Sequence, residues 1–546
     1  MINLISVFCV YTKLETVSYL ISNEEKICIL ISLIYLISIL WINFNGKVFY
    51  NFDMYSDAYV AKLMSESKTL FPQNWVFGNQ CYVTATPVLA ALIYNFIHNS
   101  IISMALASSI MTGIIIVSFV WCCRPFCRLR NIIFGVFCLS GAVILGGSAS
   151  SYVNGFQILY TMASYYACYV IGILICLGVY LRIKYKKSIS KIMILLAVLM
   201  DFSLGIQSLR QMLVMNIPFI LIEGFEIIRN DKNRQKWENK QMLFVGILFS
   251  VNAFGIITSK MIHINQKTII DHPALNIVPN QLLANFISST KELLVINGLR
   301  FCMNGIKWIP LFCIALFINF IVYKSIYLVI RKKERTPISD IIIFLTMSLM
   351  CVYLVGIFIF RVRAIYYFVW YLLVVFCFMY YIDDSRKEKV VWWMIIFSIV
   401  NYMCNFTPDY ITYCKTNKIY KTINQDLEKQ NIKRLYFDWN TAPIIAAYSN
   451  DRICAGSIKF DLEYKSKSYL YPVQYLKPKD IFNDSSKKNS YIVFSNWTMD
   501  YLGANATEEY RKKLFNKLKC VDTKTAGSMK YYFYEYDNNV IDMTYE

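Results

Sequence analysis

The strongest constraint in this chain is an alternation. Apolar stretches of roughly membrane-spanning length follow one another along the sequence, and every second connection between them is basic. A helix that crosses a bilayer needs about 20 mostly apolar residues. About eleven stretches fit: 27–45, 101–121, 131–148, 160–181, 190–208, 212–229, 241–259, 308–329, 338–359, 364–382 and 390–406. The basic connections read "RPFCRLR", "RIKYKKSISK", "RNDKNRQKWENK", "RKKER" and "SRKEK", whereas "GGSASSYVNGFQ" has no Lys or Arg. Lys and Arg are retained on the cytoplasmic side, so the alternation sets the orientation. It predicts a cytoplasmic N-terminus and external segments at 46–100 and 260–307. An odd number of spans also places the C-terminal region outside. An even number would leave that region in the cytoplasm.

Composition agrees with a polytopic α-helical membrane protein. Hydrophobic residues make up 57% of the chain and charged residues 16%, against roughly a quarter charged in soluble domains. The net charge of +20 is spread through the loops, so it reads as topology and no nucleic-acid partner is expected. Residues 1–26 are broken by Lys13, Glu15, Glu24, Glu25 and Lys26, and no cleavable signal peptide is expected. Many cysteines, among them Cys28, Cys138, Cys176, Cys351 and Cys377, lie in apolar runs, where Cys acts as a small hydrophobe.

Beyond residue 406 the character changes. "IKRLYFDW", "SYIVFS" and "KYYFYEYD" read as strands, and "KIYKTINQDLEKQN" and "TEEYRKKLFNKLK" as helices. The expected organisation is a transmembrane domain over 1–406, with an external loop at 46–100, and a small extracytoplasmic α/β domain over 407–546. "YFDWNTAPIIAAYSNDRICAG" reads as strand, turn, helix, strand, with Asn440-Thr441 available as a helix cap. Cys414, Cys454 and Cys520 are an odd set, so at most one disulfide is expected there. "NWT" and "NAT" match the glycosylation pattern, which recurs often by chance.

The loop after the first span begins "YNFDMYSDAYVAKLMSES". Asp53 and Asp57 lie one helical turn apart, and would face the same way on a helix. Ser56 or Asp57 could simply cap that helix. Two carboxylates beside a low-dielectric wall could instead serve as a general base acting on a hydroxyl.

This loop resembles that of the integral-membrane glycosyltransferases of the GT-C type, in the bacterial branch of protein mannosyltransferases and the lipid A aminoarabinose transferase. Asp53 takes the place of that family's first acid, Ala61-Lys62-Leu63-Met64 its helix, and Pro72 its proline. "TPVLAALIYNFI" is similar to its proline-led segment before the second span. Met54 stands where the family has Glu, and Asp57 is the remaining source of a second acid. The resemblance implies a polyprenyl-phosphate-linked sugar donor, attack on the outer face of the cytoplasmic membrane and inversion at the anomeric carbon. The acceptor would be a glycan, a lipid or a protein.

The donor phosphate calls for cations near the outer membrane surface. "FRVRAIYYFVW" supplies Arg361 and Arg363, and resembles the family's late arginine–tyrosine motif without its proline. Arg210 in "GIQSLRQM" lies between two spans, and Arg300 and Lys307 lie in the long external loop. The bland reading of each arginine is anchoring or snorkelling at a span end. Neither Cys122, Cys123 and Cys127 nor His263, Asp271 and His272 form a ligand set with zinc-like spacing, so neither metal nor cofactor is expected. Two rival functions remain. A flippase or transporter for a lipid-linked glycan would use ionisable groups inside spans, of which Asp201 is the clear case. A non-catalytic scaffold for envelope assembly would use the C-terminal domain.

Overall fold

The computed structural model describes residues 22–45, 52–78, 80–145, 158–161, 165–229, 240–262, 264, 281–299, 308–332, 334–359, 362–385, 388–438, 441–450, 452–463, 468–473, 477–478, 490–536 and 540–541. Within those segments, the Asp53 side chain and a few others fall outside the description.

The helical part runs α1 (Asn23–Asn45), α2 (Phe52–Ser67), the short strand β1 (Trp75–Val76), α3 (Thr86–Ile97), α4 (Ser100–Cys123), α5 (Leu129–Phe137), α6 (Ala167–Lys184), α7 (Lys191–Gln207), α8 (Ile217–Arg229), α9 (Lys240–Met261), α10 (Leu282–Ile296), α11 (Trp308–Arg331), α12 (Pro337–Phe358), α13 (Val369–Ser385), α14 (Glu388–Asn401) and α15 (Thr407–Lys429). Each apolar stretch of the sequence contains one of these helices, because lipid leaves the backbone no other way to satisfy its polar groups. Seven helices are long and apolar enough to cross a membrane, and others, such as 129–142 and 389–404, are shorter. The protein is a multi-pass membrane protein.

Burial sorts the helices into layers. The spans at Ala167–Lys184 and Ala364–Asp383 are 89% buried, whereas Asn23–Asn45 is 39% and Lys240–Met261 28% buried. The first two form the centre of the bundle, and the others present an apolar face outward. On α1, for example, Tyr35, Ile39 and Ile42 are buried while Leu30, Leu33, Ile37 and Trp41 are exposed.

Two helices lie in segments expected to be loops. α10 falls within the long connection 260–307. α3 has 12 residues with Pro87 in its first turn, so it spans only about 18 Å and is too short to cross. Its Leu92 and Phe96 are exposed, as on a helix lying at a membrane surface.

The C-terminal part continues with β2 (Arg434–Asp438), α16 (Ala442–Tyr448), β3 (Cys454–Phe460), β4 (Leu470–Pro472), β5 (Lys477–Pro478), β6 (Ser490–Ser495), α17 (Asn496–Asn505), α18 (Glu508–Lys517), β7 (Cys520–Ala526) and β8 (Met529–Glu535). Six strands form one sheet in the order β4-β3-β2-β6-β8-β7. β2 is parallel to β3 and β6, and the remaining pairs are antiparallel. Alternation along β2 sends Leu435 and Phe437 into the core shared with the membrane helices, and Tyr436 into a second core with Leu502, Tyr510 and Leu514. Thr441 does not cap α16 through its side chain. Its amide and hydroxyl both donate to Asp438 instead. Asn440 lies outside the described residues. Cys414 and Cys520 are free thiols.

The C-terminal part is seated on the loop after the first span. β1 pairs antiparallel with β5, Trp75 opposite Pro478 and Val76 opposite Lys477. The Tyr55 ring of α2 lies 6.2 Å from that of Tyr448 at the end of α16. Asn450 Nδ2 donates to the His98 carbonyl at 3.4 Å.

Candidate active site

α2 begins at Phe52, so Ser56 and Asp57 sit in its second turn and neither caps it. The capping reading of Asp57 is therefore corrected. Asp57 is 1% exposed, and its Oδ1 accepts a hydrogen bond from the Tyr82 hydroxyl. A carboxylate buried to that degree needs strong partners to hold its position.

Tyr82 belongs to a short strap, residues 80–83, which runs from the neighbourhood of α2 to the junction between α7 and α8. Cys81 Sγ donates to the Ile206 carbonyl at 3.3 Å, and the Val83 amide donates to Gln207 Oε1 at 3.3 Å. Gln207 Nε2 donates to Tyr169 Oη at 3.2 Å, and the hydroxyls of Tyr169 and Ser208 lie 2.9 Å apart. Gln80 Oε1 accepts from Arg210 Nη1 and, at 3.4 Å, from Tyr169 Oη.

Arg210 is thus tied to the same strap as Asp57. Gln80 and Tyr82 are two residues apart, at most about 7 Å of extended chain. The Arg210 guanidinium lies 5.5 Å from the ring centre of Tyr166 and 5.3 Å from that of Tyr366, between two aromatic faces. Among the described residues it makes no ion pair with a carboxylate. Tyr366 lies in the turn Ala364–Tyr367, whose first amide donates to Glu292 of α10 at 2.9 Å. Tyr166 stacks on Phe368 at 4.6 Å.

The other end of α6 is built differently. Its 18 residues put Lys184 about 27 Å from Ala167. Lys184 Nζ pairs there with Glu226 at 2.8 Å and Asp340 at 2.9 Å. Tyr185 Oη donates to Asp340 at 2.9 Å, and Arg335 lies 3.8 Å from its other oxygen. At a further cluster of helix ends, Arg130 lies 3.9 Å from Glu25, and Asn131 Nδ2 donates to Asp383 at 3.1 Å. A small cleft lined by Glu24, Glu25, Cys28 and Arg130 opens at that cluster, away from Asp57.

The whole chain can be compared with known proteins. No family model and no curated protein matches it. A solved structure does: ArnT from Cupriavidus metallidurans bound to undecaprenyl phosphate, with a TM-score of 0.53 and 8% identity over 94% of this chain and 98% of that one. The chain has the GT-C fold of an aminoarabinose transferase. That likeness extends over both the helical part and the C-terminal sheet.

Within this GT-C fold, two of the residues singled out from the sequence, Asp57 and Arg210, are hydrogen-bonded to nearby residues of one strap. Asp53 lies in the first turn of α2, with its side chain outside the described residues. Arg361, Arg300, Lys307, His263, Asp271 and His272 lie outside the described residues altogether. Arg363 is exposed and precedes the turn that carries Tyr366. No group of three or more His, Cys, Asp and Glu among the described residues could hold a metal ion.

Asp201 is buried, and one oxygen of its carboxylate is held by two asparagines. Its Oδ1 accepts from Asn252 at 3.0 Å and from Asn216 at 3.3 Å, and its carbonyl accepts from Asn252 at 2.8 Å. These bonds fasten α7 to its neighbours where Gly205 and Gly255 let the α7 and α9 backbones approach.

Sequence reasoning missed Gln80, Tyr82, Tyr166 and Tyr169. "SYYACY" at the head of α6 could have signalled two of these positions, had the tyrosines not matched an interfacial belt equally well.

Proposed function

We propose that the protein is an inverting glycosyltransferase that moves a sugar from a polyprenyl-phosphate donor to an envelope acceptor at the outer face of the cytoplasmic membrane. The observation that carries this reading is the joint anchoring of a buried carboxylate, Asp57, and an aromatic-walled arginine, Arg210, on one short strap. The undecaprenyl phosphate bound to ArnT supports a lipid-linked phosphate as the ligand. Asp57 or Asp53 takes the proton of the acceptor hydroxyl, with Tyr82 orienting Asp57. The sugar C1–phosphate oxygen bond breaks as the acceptor oxygen bonds to C1 from the opposite side. The polyprenyl phosphate leaves carrying the electron pair and the negative charge. Arg210, with Arg363, Arg361 and Arg300 as further candidates, stabilises that charge, and guanidinium is suited to it because it binds phosphate bidentately.

The orientation belongs to the same proposal. The Asp57 face and the C-terminal domain lie outside the cell, and the Lys184 and Arg130 clusters lie at the cytoplasmic surface, with the basic connections. The deciding experiment follows transfer of a radiolabelled sugar from a polyprenyl-phosphate donor in purified membranes. Wild-type protein transfers it, and Asp53→Asn together with Asp57→Asn abolishes transfer. Undiminished transfer by that double variant rejects the reading. Protease added outside intact cells cleaves the C-terminal part, and protection there reverses the orientation.

A further inference from the structure

The parallel portion of the C-terminal sheet offers a second site. β3, β2 and β6 run parallel in that spatial order. From the carboxyl end of β2 the chain turns through α16 to β3 on one side. From the carboxyl end of β6 it turns through α17 and α18 to β7 and β8 on the other. Open α/β sheets bind ligands in the crevice outside the carboxyl ends of the strands, where such connections part.

The residues gathered there have a particular chemistry. Asp438 ends β2, and three donors fix its carboxylate: the Thr441 amide at 3.2 Å, Thr441 Oγ1 at 3.1 Å and, across the parting point, Thr498 Oγ1 at 3.2 Å. Ser495 ends β6 and forms a capping box with Thr498 at the start of α17. Trp497 follows and is 52% exposed, and Tyr501, one turn further along the same helix face, is 51% exposed. The Tyr501 ring lies 6.3 Å from Phe460, the last residue of β3. An aromatic row therefore crosses the ends of β6 and β3 beside a pinned carboxylate. Tyr531 of β8 lies opposite Ser495. It is fully buried, and its hydroxyl makes no hydrogen bond among the described residues. Burial and then the Asp438 charge push that phenol's pKa up, which keeps it a neutral donor.

Two half-exposed aromatic faces beside fixed oxygen acceptors suit the apolar C–H faces and outward hydroxyls of pyranose rings. The Asp438 charge disfavours acidic sugars. Phe460, beside Tyr501, packs on the second core and not on the one shared with the membrane helices. We infer that the crevice formed by Asp438, Trp497 and Tyr501 at the carboxyl ends of β2 and β6 binds the neutral or amino-sugar portion of the acceptor. The word acceptor rests on the transferase reading above; the carbohydrate site does not.

The test uses the full-length protein, purified in detergent and applied to an array of neutral, amino and acidic oligosaccharides and peptides, with Kd measured for the ligand retained best. Wild-type protein is expected to retain a neutral or amino oligosaccharide. Trp497→Ala and Tyr501→Ala should each weaken binding by about tenfold or more, from loss of a stacked ring and its buried area. Trp497→Phe should stay within about threefold, because it keeps a ring face. Trp393→Ala, an equally exposed Trp on α14, should leave binding unchanged. Asp57→Asn should bind the oligosaccharide as wild type does, so a failed transferase reading is distinguishable from a failed carbohydrate site. Retention of no sugar, of acidic sugars or peptides only, or binding indifferent to Trp497→Ala overturns the inference.

Discussion

The two ends of α6 are only about 27 Å apart, yet they treat charge in opposite ways. At Lys184 opposite charges meet, Lys184 with Glu226 and Asp340, and Arg335 with Asp340. Nearby, Glu223 accepts from the Tyr180 hydroxyl, and Arg182, stacked 3.8 Å from the Trp121 ring, gives its donors to the Gly178 and Trp121 carbonyls. At Tyr166 and Tyr169 the partners of Arg210 among the described residues are neutral. Arg210 lies between aromatic faces and a Gln side chain, and Tyr82 gives a hydroxyl to Asp57. An ion pair consumes the charge it stabilises. A guanidinium held by rings and an amide is positioned, and still has its charge to offer a ligand. The first end is built to hold helices together, the second to keep charge available.

The most severe way to break that contrast is at the acids. Asp57→Asn keeps shape but cannot accept a proton, so transfer should fall roughly 10²- to 10⁴-fold, the usual range for loss of a general base. Asp53→Asn should fall as far if Asp53 is the base, and the pair of single variants assigns the role. Initial rates of labelled-sugar transfer in membranes, normalised to folded protein, check both. Unfolding temperatures should stay close to wild type.

At the Lys184 end the same kind of change should act on stability instead. Asp340 is 7% exposed and serves Lys184, Arg335 and Tyr185 together. Asp340→Ala leaves the mostly buried Lys184 ammonium with Glu226 alone and should cost about 2 kcal/mol, the scale of a lost hydrogen bond to a charged group, read as a lower unfolding temperature in detergent. Transfer per folded molecule should be unchanged. A rate loss with unaltered stability would erase the distinction between the two ends.

The sequence made one part of this contrast easy to see and hid the rest, for physical reasons. The apolar helices are legible because lipid demands long apolar runs, although only seven of the described helices are long and apolar enough to cross a membrane. α10 escaped notice because Ser288, Ser289, Lys291 and Glu292 interrupt its apolar pattern, although Glu292 is what fastens the Tyr366 turn. Asp57 was legible as a residue to watch, but its role as a cap or as a buried acid depended on where α2 starts. The strap was illegible. Tyr82 is 25 residues from Asp57, and Gln80 is 130 from Arg210, so nothing local distinguishes them. Strand positions in the C-terminal part came through their β-branched and aromatic residues, whereas their order and parallel pairing are tertiary facts that a single sequence does not encode locally.

The contrast can be sharpened at Arg210 with a smaller effect. Hydrogen bonds to a charged group contribute about 1.5–3 kcal/mol, so Arg210→Ala should raise the donor KM roughly 10- to 150-fold, with less change in kcat. Arg210→Lys should recover little, since a point charge replaces the planar fork that fits between Tyr166 and Tyr366. Donor titrations at saturating acceptor measure both.

Arg363 provides the mildest test, because it lies near Arg210 in the fold's logic but not in its surroundings. It is exposed and stands just before the Ala364–Tyr367 turn, whereas Arg210 is half-buried between two rings. Water and salt screen an exposed cation, and such charges typically contribute less than about 1 kcal/mol. Arg363→Ala should therefore raise the donor KM by no more than about fivefold at physiological ionic strength. The effect should grow as salt is lowered and the screening length increases. The Arg210→Ala defect should hardly change over the same salt series, because low-dielectric surroundings shield it from bulk ions. Donor KM measured for the two variants at several salt concentrations separates the cases. If Arg363→Ala proved as damaging as Arg210→Ala, and equally insensitive to salt, Arg363 would have to close over the bound donor, and Arg210 would lose its claim to be the principal phosphate contact.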